Sequence, residues 1–283
     1  MIEVTSSRIR DVGGSSVLRA LPVHGHRTVG AWCFLDHFDG RVGMSIGPHP
    51  HMGLQTVTWL FDGELLHTDS LGSEQHIRPG QLNLMSAGNG VAHAEDGRDA
   101  TDTGRGVQLW VAQPEATRHG SAAFEHHAEL PQARVGASDA TVLVGSFAGA
   151  RSTARTDTAL VGVDLILRGT TELTLDPTFE HAVVVVEGAL TIDDTAVRSD
   201  QFGYLPVGTQ GAALATDTGA RALLLGGTPF ESDIYMWWNF VGRDRAEMEA
   251  AYRDWQAGAG RFGEVKTDLA RIPAPRPEWM TSE

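Results

Sequence analysis

The 283-residue chain has a single cysteine, Cys33, so no internal disulfide can form and a reducing, cytoplasmic compartment is expected. Nowhere do eighteen apolar residues run together, and the opening MIEVTSSRIRDVGG lacks the apolar core of a signal peptide. Neither a membrane span nor secretion is therefore expected. Basic residues are also scarce. The 22 Lys and Arg stand against 36 Asp and Glu, a net charge of −14, and no Lys/Arg cluster breaks that field. A nucleic-acid backbone would be repelled, which excludes direct nucleic-acid contact and leaves a small molecule or a protein as partner.

What is present is short apolar alternation broken by turn residues, in a chain with 33 glycines. VTWLFDGELLHTDSLG, HIRPGQLNLMSAGNG, GVQLWVAQ, ALVGVDLILRG, HAVVVVEGALTIDD and QFGYLPVGTQ read as strands, which predicts an all-β sandwich or barrel. There is an internal echo. WLFDGELLHTDS matches VVVEGALTIDDT, and RPGQLNLMSAG matches RSDQFGYLPVG, as if one β unit occurred twice. The dip PQARVGASDA (131–140) serves as a linker, so two domains are expected, 1–135 and 136–283. Helical spacing occurs once: Met248, Ala251, Tyr252 and Trp255 predict an amphipathic helix over about 243–257, its aromatic stripe used for packing.

The chemistry centres on GPHPHMG (47–53). Proline belongs at strand edges or starts, so HPH is expected to open a strand that continues into TVTWLF. Residues two apart then share a face, giving His49, His51, Gly53, Gln55, Val57 and Trp59 on one side. Forty residues on, GNGVAHAED places His93 and Glu95 two apart as well. Two such pairs on two strands can converge inside a barrel as three imidazoles and a carboxylate, a mixed N/O set that suits Fe, Mn, Ni, Cu or Zn. The residues equally allow His93 and Glu95 to be a hydrogen-bonded rim pair unrelated to His49. His24-Gly25-His26 repeats the HxH spacing without a downstream partner. His76, His126 and His127 read as surface, Asp62-Gly63 and Asp69-Ser70 as turns, and Trp59 and Trp110 as core or as pocket walls.

Gly43-x5-His49-x-His51 followed by Gly90-x2-His93 resembles the two cupin motifs. HPHMGLQTVTWLFDGELLHTDSLG…IRPGQLNLMSAGNGVAHAE…GVQLWV is similar to the signature of the pirin family, strongly over about 28–115 and in domain plan beyond. The resemblance implies a bicupin: two barrels face to face, with one metal per chain in the first barrel only. It implies His49, His51, His93 and Glu95 as ligands, and iron(II) as the usual metal, with Zn, Mn, Ni, Cu or Co as alternatives. Gln55 departs from the Glu common in the family. Aligning the echo puts Ala213 and Ala215 at the positions of His93 and Glu95, and Thr174 and Asp176 at those of His49 and His51, so the second unit is expected to lack ligands. His181 and Glu187 remain there, with His181 expected exposed or simply hydrogen-bonded.

Two functions follow from the resemblance. One is a dioxygenase that cleaves a flavonol such as quercetin with O2 and releases carbon monoxide, Glu95 taking the 3-hydroxyl proton. The other is a non-enzymatic, metal- and redox-responsive regulator that binds a protein partner.

Overall fold

A computed structural model describes residues 2–12, 15–23, 25–39, 45–97, 104–199, 201–258 and 260–280. Gly43 and His24 of the motifs above lie outside these residues. The paired strands of the large sheets are antiparallel, and they build two β units as the alternating sequence predicts. Among the described residues, no helix is long and apolar enough to cross a membrane.

The first unit has a seven-stranded sheet, in the order Ala123–His127, Leu82–Ser86, Leu54–Asp62, Arg105–Ala112, Trp32–Asp39, Ser15–Leu21, Arg8–Val12. Its second sheet has four strands, Ser45–His51, Val91–Asp96, Leu65–Asp69 and Glu74–Ile77. The second unit is one eight-stranded sheet built on three long strands, Leu160–Thr174, Glu180–Ile192 and Gly211–Gly227. Register shifts between Leu167 and Gly169 and between Val185 and Glu187 interrupt these strands. Bulges of this kind bend and twist a strand, letting a single sheet curl over its own core.

The two units share an apolar core. Trp32, Val57, Trp59 and Leu109 from the first pack in one buried cluster with Leu143, Val184, Phe202 and Leu223 from the second. Their polar edges are satisfied across the seam: Trp32 Nε1 donates to Val161 O at 3.0 Å and Trp59 Nε1 to Asp164 Oδ2 at 3.0 Å. The termini are exchanged between units. Glu3–Ser6 pairs with Gln201–Leu205 in the second sheet, while the chain after Ile234 returns to the first unit. The expected boundary at 135/136 and the expected linker 131–140 fall instead in a hairpin, Gln132–Val135 paired with Ser138–Val144, and both strands belong to the second sheet.

The helix spans Arg245–Gln256, slightly inside the expected 243–257, because Asp244 caps it by accepting from Glu247 N at 3.0 Å. Met248, Ala251 and Trp255 are buried as their spacing predicts, with Tyr252 half-buried. They pack on Met52, Phe240 and Phe262, against the first unit. The tail beyond follows: Ile272 N donates to Pro48 O at 2.9 Å.

Two sequence expectations about strand faces fail, both by one residue. HPH closes the strand Ser45–His51 instead of opening a longer one, and a new strand starts at Leu54. Between them Gly53 takes φ +69, and a Cβ there would collide with the Val241 carbonyl oxygen, so only glycine fits. The turn reverses the alternation. Thr58 and Leu60 face the barrel interior, whereas Val57 and Trp59 face the second unit. Gln55 sits outside the cavity and donates to Ser86 Oγ at 2.8 Å.

The second slip concerns the repeat. Thr174 and Asp176 are exposed and Ala213 and Ala215 only half-buried, while Thr171, Leu173, Ala212 and Leu214 are buried. Leu173 pairs with Ala212 and Thr171 with Leu214, so these four hold the inward positions that face one another. With a side-chain period of two, a one-residue offset moves every side chain to the opposite face.

Candidate metal centre

Ser45–His51 lies at the edge of the four-stranded sheet, where Pro50 forfeits no ladder bond that the sheet requires. Its neighbour Val91–Asp96 runs antiparallel, with His93 opposite His49 and Val91 opposite His51. The register then shifts, and Glu95 stands opposite Ile46. Cross-strand pairing therefore brings together what the two sequence pairs supply separately. His49, His51 and His93 are all buried, with one ring nitrogen from each within 4.8 Å of the others. This is the only cluster of three metal-capable side chains among the described residues.

The ring orientations decide what the cluster can do. His49 Nδ1 lies 2.9 Å from Gly47 O, and His51 Nδ1 lies 3.2 Å from Asn239 O. A carbonyl oxygen only accepts, so both rings carry their proton on Nδ1 and leave Nε2 as a bare lone pair. His51 Nε2 and His93 Nε2 stand 3.0 Å apart. Two metal–nitrogen bonds of about 2.1 Å at a right angle subtend roughly that distance. Burial pushes His49 down to about 4, and burial plus the neighbouring imidazoles hold His51 and His93 well below the ordinary histidine value. Neutral imidazoles with inward lone pairs are what a metal needs. The donor set fits a divalent transition ion.

Glu95 lines the same cavity but stands apart from the three-nitrogen cluster. Its carboxyl is pushed up by burial, against the opposing pull of His67 and of the Thr58 hydroxyl, which donates to Oε1 at 3.4 Å. The cavity measures about 610 Å³. Trp110 and Phe34 form one wall, stacked at 4.0 Å and 13°, and Trp110 meets the edge of His51 at 5.2 Å. Trp59, the other wall candidate, is instead spent on the seam between the units. Cys33 is fully buried with its thiol pushed up to about 12, so it is an inert core residue.

The other singled-out side chains lie elsewhere. His76 is exposed beside Glu64, His126 bonds Asn83, and His127 lies 3.1 Å from Glu125. Glu187 is exposed and pairs with Arg105 at 3.0 Å. His181 departs from expectation, being 1 % exposed with Nδ1 finding no hydrogen-bond partner among the described residues. The sequence reading missed two residues at the centre. His67 Nδ1 lies 3.3 Å from His93 Nδ1, and His67 Nε2 lies 3.1 Å from Asp69 Oδ2. The HxD spacing at 67–69 was the available signal, read only as a turn.

The Pirin family model matches residues 14–111, and the Pirin C-terminal cupin domain model matches 160–263. A Pseudomonas aeruginosa protein named "Putative quercetin 2,3-dioxygenase" is 41% identical over 288 residues, covering 99% of this chain and 91% of its own. This chain belongs to the pirin family. A pirin-like protein of Caulobacter vibrioides is 33% identical over 269 residues, covering 90% of this chain and 93% of its own. The crystal structure of a quercetin 2,3-dioxygenase from Acinetobacter baumannii superposes with a TM-score of 0.94 at 39% identity, covering 99% of this chain and 97% of that one. The bicupin plan expected from the motifs is thus that of the pirin fold, and the first family segment contains His49, His51, His93 and Glu95.

Proposed function

We propose that this pirin is a metal-dependent dioxygenase that cleaves flavonols such as quercetin with O2 and releases carbon monoxide, with iron(II) as its metal. The observation that carries this reading is the trio of inward imidazoles on the floor of a cavity with a stacked aromatic wall. The relatives named for quercetin 2,3-dioxygenase activity support the substrate class. His49, His51 and His93 would hold the ion, with Glu95 as a fourth ligand. A bound divalent ion supplies the Lewis acidity that lowers the pKa of a coordinated hydroxyl. Trp110 and Phe34, stacked on one another with the Arg19 guanidinium over Phe34, give the cavity an aromatic lining suited to a planar ring system. Glu95, raised by burial and close to the Thr58 hydroxyl, is the group placed to take the flavonol 3-hydroxyl proton.

The test begins with elemental analysis of the purified protein, followed by anaerobic loading with iron(II). Oxygen uptake and carbon monoxide release are then measured with quercetin and related flavonols. Metal-dependent uptake with carbon monoxide formed is the expected result. Loaded protein that consumes no oxygen with any flavonol refutes it, and a cellular protein recovered only by the loaded form would favour the regulator.

A further inference from the structure

His49 and His51 have their tautomers set by backbone carbonyls, which can never donate. His93 is different: its Nδ1 faces another imidazole, His67, whose proton could sit on either ring nitrogen. What fixes His67 is therefore what fixes His93. His67 Nε2 lies 3.1 Å from Asp69 Oδ2, while Asp69 Oδ1 accepts from Leu71 N and Ser73 N, each at 2.9 Å. Burial works to raise the Asp69 carboxyl, but His67 and Ser73 outweigh it and keep the group below its ordinary value.

The proton positions then follow in sequence. An ionised Asp69 only accepts, so His67 carries its proton on Nε2 and presents a bare Nδ1. The single proton between the two Nδ1 atoms therefore belongs to His93, and His93 Nε2 is left bare toward the centre, 3.0 Å from His51 Nε2. The chain is held rigidly. His67 pairs with Glu95 and Asp69 with His93 along one ladder, the His67 ring stacks on Phe124 at 4.4 Å and 13°, and all three side chains are buried. Neither His67 nor Asp69 lines the cavity.

We propose that Asp69 and His67 are positioning residues that set the tautomer of His93 and keep its Nε2 free to bind the metal, an inference that rests on the metal-centre reading above. Outer partners of this kind orient a ligand and raise its basicity, and their loss typically lowers metal affinity by about 10–100-fold.

The informative variant is Asp69→Asn. Its Oδ1 can go on accepting from Leu71 and Ser73, while its NH2 group turns to His67 Nε2 as a donor. That reversal puts the proton on His67 Nδ1 and on His93 Nε2, the wrong nitrogen for a ligand. Nitrogen-15 NMR of the metal-free protein should show His93 protonated at Nδ1 and His67 at Nε2 in the wild type, and both reversed in Asp69→Asn. Chelator competition should show about 10–100-fold weaker metal binding for Asp69→Asn. His67→Phe, which keeps the stack on Phe124, should lose a similar factor and serves if Asp69→Asn fails to fold. His67→Asn, whose Oδ1 can replace Nδ1 as acceptor, should recover most of it. Wild-type His93 protonated at Nε2, or an Asp69→Asn protein with unchanged tautomers and unchanged affinity, overturns the proposal. The NMR readout needs no metal and no flavonol, so its failure is distinct from failure of the dioxygenase reading.

Discussion

Asp164 is the polar lock between the two barrels, and replacing it with alanine tests whether they fold as one body. The carboxylate is 3% exposed and accepts from Trp59 Nε1 at 3.0 Å, from Arg221 Nε at 3.0 Å and from Arg221 Nη2 at 2.5 Å. The Arg221 guanidinium also lies over the Phe61 ring at 3.9 Å, so the pair ties both units to one apolar seam. At a charge separation of about 3.5 Å and an effective dielectric constant near 20, the gross attraction is about 5 kcal/mol. Removing one partner of a buried pair costs about 3–5 kcal/mol, because the remaining charge is left uncompensated. Arg221 keeps 20% of its side chain in water, which places the loss near the lower end, at about 3 kcal/mol. The orphaned Trp59 N–H adds about 1 kcal/mol. Asp164→Ala should therefore lose about 4 kcal/mol in urea denaturation followed by tryptophan fluorescence, with wild type unfolding in one transition. A loss below about 1 kcal/mol, or two well-separated wild-type transitions, would refute the shared-core account.

Three further outcomes are expected. His51→Ala and His93→Ala should lose their bound metal while circular dichroism reports an intact β fold; elemental analysis should give one ion per wild-type chain, and a stoichiometry of two would overturn the assignment. Glu95→Gln should lower quercetin turnover, normalised to metal content, by about 10²–10⁴ if Glu95 is the base, and unchanged turnover would remove it from that role. His181 is pushed down to about 4 by burial, with Asp176 opposing, so the folded state binds fewer protons than the unfolded one. Its contribution is complete above about pH 6.5 and is lost as pH falls toward about 4, at most about 3 kcal/mol. Denaturation midpoints at pH 7 and pH 4.5 should show a smaller acid loss in His181→Leu than in wild type, and equal losses would contradict the burial argument.

The candidate site was legible in the sequence wherever its geometry is local. HxH at 49–51 and HxE at 93–95 name side chains that share a strand face, because alternation is a property of any extended chain. The helix was legible for the same reason: Met248, Ala251 and Trp255 mark one face whatever they pack against. Local reading fails where a single residue changes the phase. Gly53 in a left-handed turn reverses the face of all that follows, sending Trp59 to the seam and Thr58 to the barrel interior beside Glu95. In the repeat, a one-residue offset exchanges Ala213 for Leu214 at the inward position.

The sequence by itself determined the all-β plan, the internal duplication, the C-terminal helix, the pirin signature and the three imidazoles, since each is written in composition or short-range spacing. Only the tertiary structure decided how those imidazoles are held. His51 is oriented by the carbonyl of Asn239, 188 positions away, and His93 by His67, on the neighbouring strand. The exchange of chain ends and the Trp59–Asp164 bond across the seam are likewise contacts between distant segments. Such contacts leave no periodic trace in the chain, because strand register and sheet packing, not spacing along the backbone, bring the partners together.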